Sequence, residues 1–187
     1  MNDPEATLLD LLKEHALKLG DFTLKSGRQS SYLIDCKKVV LTGVGHRLVG
    51  EVMYDHAIRG YDVAAVAGVE LGGCPLASAV ACHSAAFMGA APPPLDVIYV
   101  RKERKGHGSK SLLETGWRLG QGAKVVVLED VATTGGSAMF AVEQLWKYGF
   151  DVLRVCALVD RLEGAGELFE KQGIRFNAVF TPADFGQ

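Results

Sequence analysis

Long apolar runs are missing from this sequence: nothing approaches the roughly 18 consecutive apolar residues that a membrane-spanning helix needs. Cysteine is scarce, and Cys36, Cys74, Cys82 and Cys156 show no C-x-x-C spacing. Their apolar or small neighbours predict reduced, buried thiols, which argues against a disulfide framework or a zinc site. The N-terminus opens on acids and lacks a basic segment followed by an apolar one, so no signal peptide is expected and the expected location is cytoplasmic. Neither sign of charge prevails. A net charge of −2 does not suit general attraction to nucleic acid. Internal repeats and low-complexity tracts are absent too. What remains, 187 residues with 48% hydrophobic content, fits one globular domain over 1–187.

Two familiar phosphate-binding patterns are also missing. There is no G-x-x-x-x-G-K-[ST], and no G-x-G-x-x-G follows a predicted strand. In their place stands Val125 to Ala138, V-V-V-L-E-D-V-A-T-T-G-G-S-A. The apolar run Val125 to Leu128 suits a strand buried on both faces, with the carboxylates Glu129 and Asp130 at its end. Val131, Ala132 and the small residues Thr133, Thr134, Gly135, Gly136 and Ser137 then lead into a helical pattern with Met139, Phe140, Val142, Leu145 and Trp146 on its apolar face. A glycine turn into a helix N-terminus offers unpaired N–H groups and a positive dipole end to an anion. The two carboxylates would repel a phosphate, so they must face another part of the same ligand, hydroxyls or a bound cation. A ribose 5-phosphate meets both demands.

The rest of the chain supplies strands and helices in alternation. Asp3, Pro4, a leucine stripe (Leu8, Leu9, Leu11, Leu12, Leu19) and Gly20 predict a first helix. Asp21 to Cys36 reads as two short strands around a Lys-Ser-Gly-Arg turn. Thr42 caps a predicted helix over 44–58, with Val44, Leu48, Val49, Val52 and Met53 facing the core. Strands are expected at 62–68, 95–100, 151–159 and 174–180, with helices at 75–83 and 166–172. Repeated strand-then-helix units with short links imply an α/β fold with a doubly wound parallel sheet, whose ligand site lies beyond the strand C-termini. The 70s loop, the acid pair with its glycine loop, and Arg161 each follow a predicted strand. Glu70 reads equally well as a site residue or a solvated one.

Between 101 and 110 the chain carries five cationic side chains and one anion, interspersed with Gly106, His107, Gly108 and Ser109. That composition reads as a mobile cationic loop, extending over about 101–114, or as a solvated charge run. A nucleic-acid patch is disfavoured by the lack of aromatics within it.

Three stretches resemble known proteins. The acid pair followed by T-T-G-G-S resembles the phosphoribosyl-pyrophosphate (PRPP) signature of the type I phosphoribosyltransferases. F-T-L-K-S-G-R-Q-S-S-Y-L-I-D resembles a hood segment of the orotate phosphoribosyltransferases, and Arg101, Lys102, Lys105, His107 and Gly108 match their R-K-x-x-K-x-H-G catalytic loop. The resemblance implies a small N-terminal hood near 1–36 and transfer of the 5-phosphoribosyl group from PRPP to orotate, with Mg2+ as cofactor and no metal ligand expected directly from the protein. It also implies residue roles. Lys25, Arg101, Lys102, Lys105, His107, Glu129, Asp130 and the run from Val131 to Ser137 would bind PRPP. Lys105, His107 and Asp130 would be catalytic, and Thr133 and Arg161 would bind orotate. In the related loop around Gly72 and Gly73 the backbone wraps the pyrophosphate, often with unusual geometry. A homodimer sharing the cationic loop across its interface is expected on the same ground, with no nucleic-acid or membrane partner. The alternatives are a transferase for another nucleobase and a PRPP-sensing regulator. The hood and the cationic loop argue against the first, and the absence of an added basic domain argues against the second.

Overall fold

The computed structural model describes residues 3–23, 29–87, 93–103 and 111–187. The Asp3 carboxylate accepts a hydrogen bond from the Glu5 amide at 3.0 Å, and Pro4 opens helix α1 (Pro4–His15). Leu8 and Leu12, one turn apart, are fully buried. The helix stops short of the leucine pattern, because Leu17 pairs with Ile34 and draws the next residues into strand β1 (Leu17–Thr23). Leu19 and Gly20 therefore belong to a strand, and Leu19 is 70% exposed. β1 lies antiparallel to β2 (Gln29–Ile34), while the turn between them, with Lys25 and Arg28, falls outside the described residues.

A short helix α2 (Lys37–Val40), which the sequence pattern does not announce, leads to α3 (Gly43–Ala57). The Thr42 hydroxyl caps α3 by accepting from the Gly45 amide at 3.1 Å. Leu48, Val49, Val52 and Met53 are buried. Val44 is not. A Cβ on Gly45 would fall 2.1 Å from the Val39 carbonyl oxygen, so the helix approaches α2 through Gly45 and turns Val44 outward, 54% exposed.

Then follow β3 (Ala65–Val69), α4 (Gly73–Phe87), β4 (Asp96–Val100), β5 (Leu113–Thr115), β6 (Lys124–Ala132), α5 (Gly136–Lys147), β7 (Asp151–Asp160), α6 (Ala165–Lys171) and β8 (Arg175–Phe180). They form a sheet of order β5-β4-β3-β6-β7-β8, parallel except for β5. β5 is the unexpected member, and it takes Leu113 and Glu114 out of the loop read as 101–114. Val126 and Leu128 pack into a core with α1, α3 and α4, whereas Val125 and Val127 pack with α5 and α6 on the other face. Burial on both sides explains the unbroken apolar run of β6. On α5 the residues Met139, Val142 and Leu145 are buried, but Trp146 is 44% exposed. The four cysteines are free, and only Cys36 and Cys156 are buried; Cys74 is half-buried and Cys82 exposed, against the expectation for all four. No helix among the described residues is long and apolar enough to cross a membrane.

Candidate active site

The site begins where two neighbouring strands end at different heights. β3 pairs with β6 as far as Gly68 opposite Leu128, while β7 stays paired with β6 to Asp160 opposite Ala132. From Glu129 onward β6 has lost its β3 neighbour, and a cavity of about 520 Å3 opens there. The hood supplies one wall through Phe22, Thr23, Leu33 and Ile34. Glu70, Leu71 and Gly72 from the loop after β3 supply another. Lys37, Lys102 and Arg161 bring positive charge, and Glu129 and Asp130 bring negative charge.

A second hollow of about 310 Å3 adjoins it, lined by Thr133, Thr134, Gly135, Gly136 and Ser137 below Glu129, Val131 and Ala132. The two share Glu129, Val131, Thr133 and Ser137. Gly135 caps α5 with φ near +80° and no side-chain hydrogen bond, so the first-turn N–H groups have no side-chain cap. Glycine is required there twice over, since a Cβ would also press to 3.1 Å against Leu168 and Phe169. An uncapped helix N-terminus facing a hollow is an anion seat.

Glu129 is 8% exposed, and among the described residues its buried Oε2 has no hydrogen-bond partner. Burial first, then the charge of Asp130, pushes its carboxyl well above the ordinary carboxylate value. Asp130 follows Glu129 on β6 and lines the same larger cavity. Gly72 packs against its carboxylate so closely that a Cβ there would lie 2.1 Å from Oδ2. Lys37 Nζ stands 3.9 Å from the same Oδ2 and 2.6 Å from Asp35 Oδ1.

This arrangement has close relatives. A family model for the phosphoribosyl transferase domain matches residues 46–178. The orotate phosphoribosyltransferase of Sorangium cellulosum is 48% identical over 178 residues, covering 95% of this chain and 91% of its own. That of Methanocaldococcus jannaschii is 41% identical over 180 residues, covering 96% and 95%. The chain belongs to the orotate phosphoribosyltransferase family. Among solved structures, the orotate phosphoribosyltransferase of Mycobacterium tuberculosis H37Rv in complex with PRPP superposes with a TM-score of 0.78 at 32% identity, covering 99% of this chain and all of that one.

Seen as an orotate phosphoribosyltransferase, the chain gathers most of the expected site residues. Glu129, Asp130, Val131, Thr133, Ser137, Lys102 and Arg161 meet on the larger cavity, and Ala132, Thr134, Gly135 and Gly136 on the smaller. Lys25, Lys105 and His107 lie outside the described residues. Arg101 is not on either cavity wall; its guanidinium stands 3.8 Å from Glu114. Glu70 is placed by its bond to the Lys102 amide, which donates to Oε1 at 2.6 Å and so ties the loop after β3 to the start of the cationic stretch. The Glu70–Leu71 peptide is cis, in keeping with the unusual backbone that the family resemblance implies for this loop.

Arg161 departs from the simplest expectation. A guanidinium facing a closed site should need a ligand anion, but Glu163 already stands 3.0 Å from its Nε, and both side chains are buried. Nη2 donates to Ser30 Oγ at 2.9 Å, and the guanidinium lies over the Tyr32 ring at 4.5 Å. Glu163 is one of the two acids, with Asp160, that the sequence offers as a partner for Arg161, whereas Lys37, Ser30 and Tyr32 were missed as site residues. Ser30 and Tyr32 were visible within the hood pattern, whereas Lys37 gives no local signal, since its role depends on the distant Asp130.

Among the described residues no group of three His, Cys, Asp or Glu could hold a metal by itself. Glu129 and Asp130 are hard oxygen donors, of which Mg2+ commonly uses one or two while keeping waters and substrate phosphates. The donor set fits a cation that arrives largely ligated by a phosphorylated substrate.

Proposed function

We propose that this protein transfers the 5-phosphoribosyl group from PRPP to orotate in the cytoplasm, giving orotidine 5'-monophosphate and pyrophosphate for the synthesis of UMP. The observation that carries this is the contiguity of the acid pair, the uncapped α5 N-terminus and the hood-side Arg161 around one pair of joined cavities. The 5-phosphate sits in the smaller hollow on Thr133 to Ser137, with the Val131 and Ala132 backbone leading into it. The ribose hydroxyls meet Glu129 and Asp130. Orotate lies toward the hood, its carboxylate received by Arg161 with Thr133 beside it.

In the reaction the bond from the anomeric carbon to a pyrophosphate oxygen breaks, and a bond from that carbon to a pyrimidine ring nitrogen forms. Charge develops on both sides of the transition state. The leaving pyrophosphate gathers negative charge, which Lys25, Arg101, Lys102, Lys105 and His107 offset. The ring gains oxocarbenium character, which the neighbouring Asp130 carboxylate favours. Asp130 serves as a base in the reverse direction. Mg2+, with Glu129 and Asp130 as the nearest oxygen donors of the protein, would supply further charge neutralisation to the leaving group. The enzyme is a homodimer that shares the cationic loop across its interface, with Lys102 at the loop's start remaining on its own chain's cavity wall. Purified protein given PRPP, orotate and Mg2+ should consume orotate and release equimolar pyrophosphate, and chelation of the metal should stop it. Orotate loss without pyrophosphate would overturn the reading.

A further inference from the structure

Lys37 is the cation in the larger cavity that no expectation assigned. It opens α2 directly beneath the hood, at a point where β2 has just ended. Its ammonium has three N–H donors. Asp35 takes the nearest position at 2.6 Å, while Asp130 Oδ2, at 3.9 Å, lies beyond direct hydrogen-bond reach. The pairing with Asp35 raises Lys37 above the ordinary lysine value against the effect of its partial burial, and the charge of Asp130 adds to this. The cation is therefore present at neutral pH. Gly72 packs on the Asp130 carboxylate and fixes its place from the other side.

A single oxygen atom can bridge such a gap. Two hydrogen bonds of about 2.8 Å each span 3.9 Å with an angle near a right angle at the shared oxygen, which suits a hydroxyl. The bridging group must accept from the ammonium and donate to the carboxylate. A phosphate or carboxylate oxygen only accepts, and Asp130 would repel it. A hydroxyl does both.

We propose that Lys37 and Asp130 together form a donor–acceptor pair that reads one ribose hydroxyl of the substrate, with Lys37 as a direct sugar-binding residue. The proposal rests on the reading above that the acid pair receives the ribose. Lys37 then discriminates ribose from its deoxy analogue: without the hydroxyl, the cation and the carboxylate face each other across an empty gap. It also gives the hood-side wall a contact to the sugar that is independent of the cationic loop.

The test uses ribose 5-phosphate, 2-deoxyribose 5-phosphate and 3-deoxyribose 5-phosphate as probes. Dissociation constants are measured calorimetrically for the full chain, for Lys37→Met, Lys37→Arg and Asp130→Asn. In the unaltered protein, at least one deoxy sugar should bind roughly tenfold to a hundredfold more weakly than ribose 5-phosphate, the scale of a hydrogen bond to a charged group. Lys37→Met should reduce that preference to within about twofold, while Lys37→Arg keeps most of it. Lys37→Gln provides the same comparison should the methionine variant not fold. If Lys37→Met or Lys37→Gln keeps the full preference while Asp130→Asn loses it, Lys37 does not read the hydroxyl, although the ribose still sits on the acid pair. If no protein shows a hydroxyl preference, the placement of ribose fails and the proposal with it.

Discussion

The guanidinium of Arg161 and the carboxylate of Glu163 form a buried pair, Nε to Oε1 at 3.0 Å, with 4% and 9% of their side chains exposed. The pair changes what base selection can rest on. A cation already matched by its own chain is not left bare when a neutral base enters, so rejection of uracil cannot draw on the full cost of an unpaired buried charge. It draws on the contact that orotate adds.

The first prediction follows from that pair. Orotate should exceed uracil in kcat/KM through Arg161 by roughly 1.5 to 3 kcal/mol, the scale of a charge-assisted hydrogen bond. Arg161→Lys keeps a point charge near Glu163 but loses the planar fork, the Ser30 bond and the stacking on Tyr32. It should lose most of the orotate preference with a smaller loss of stability than Arg161→Ala, which removes one partner of a buried pair at a cost on the order of 3 kcal/mol. Steady-state kinetics with both bases decide the matter, and an Arg161→Lys enzyme with undiminished preference contradicts it.

The second concerns Glu129, whose carboxyl is held well above its ordinary value of 4.5, chiefly by burial. A raised folded-state pKa means that the stability contributed by the protonated group is complete below about 4.5 and is lost as pH rises through the folded value. Glu129→Gln mimics the protonated form at every pH. The melting temperature of the variant should therefore match that of the unaltered protein near pH 4.5 and move progressively above it as pH rises. A difference that does not change with pH would show that Glu129 is not held protonated by the fold.

Gly72 gives the third. A methyl group there would strike the Asp130 carboxylate, which is 2.1 Å from the ideal Cβ position. Gly72→Ala should fold, at a cost of about 1 to 3 kcal/mol for overpacking, while displacing Asp130 from its position against Lys37. KM for PRPP should rise and KM for orotate change little. Asp130→Asn, which leaves the space free, should weaken use of PRPP by about 1.5 to 3 kcal/mol. Equal effects of Gly72→Ala on the two substrates would argue against this assignment of Asp130.

Much of this arrangement is legible in the chain and some of it is not, for physical reasons. β6 announces itself because a strand covered on both faces must be continuously apolar, and the two acids that interrupt it before its end at Ala132 have no packing purpose. The first helix is legible at Asp3 and Pro4, where capping is a local matter, but not at its end. Leu19 fits the helical period, yet pairing of Leu17 with Ile34, which is distant in sequence, decides its fate. Val44 and Trp146 fit their helices' apolar faces and are nonetheless exposed, since tertiary contacts select the face that is covered. The same holds in the site. Arg161 stands out as a charge after a strand, but Glu163 and the Ser30 and Tyr32 contacts depend on the loop's path and on the hood, and Lys37 meets Asp130 only in the folded chain.

The proposed homodimer yields the fourth prediction. Lys105→Ala and Asp130→Asn should each have much reduced activity, and mixing them with verified subunit exchange should raise activity above the mean of the two, because one hybrid site would combine both intact contributions. Exchange without recovery would mean that each chain's cationic stretch serves its own site.

The most direct test of the central claim is a competition among bases. The protein is incubated with PRPP, Mg2+ and an equimolar mixture of orotate, uracil, adenine, guanine and hypoxanthine, and the nucleotides formed are separated and quantified. Orotidine 5'-monophosphate should accumulate almost alone, matched mole for mole by pyrophosphate. Accumulation of another nucleotide, or of none while PRPP is bound, would contradict the account.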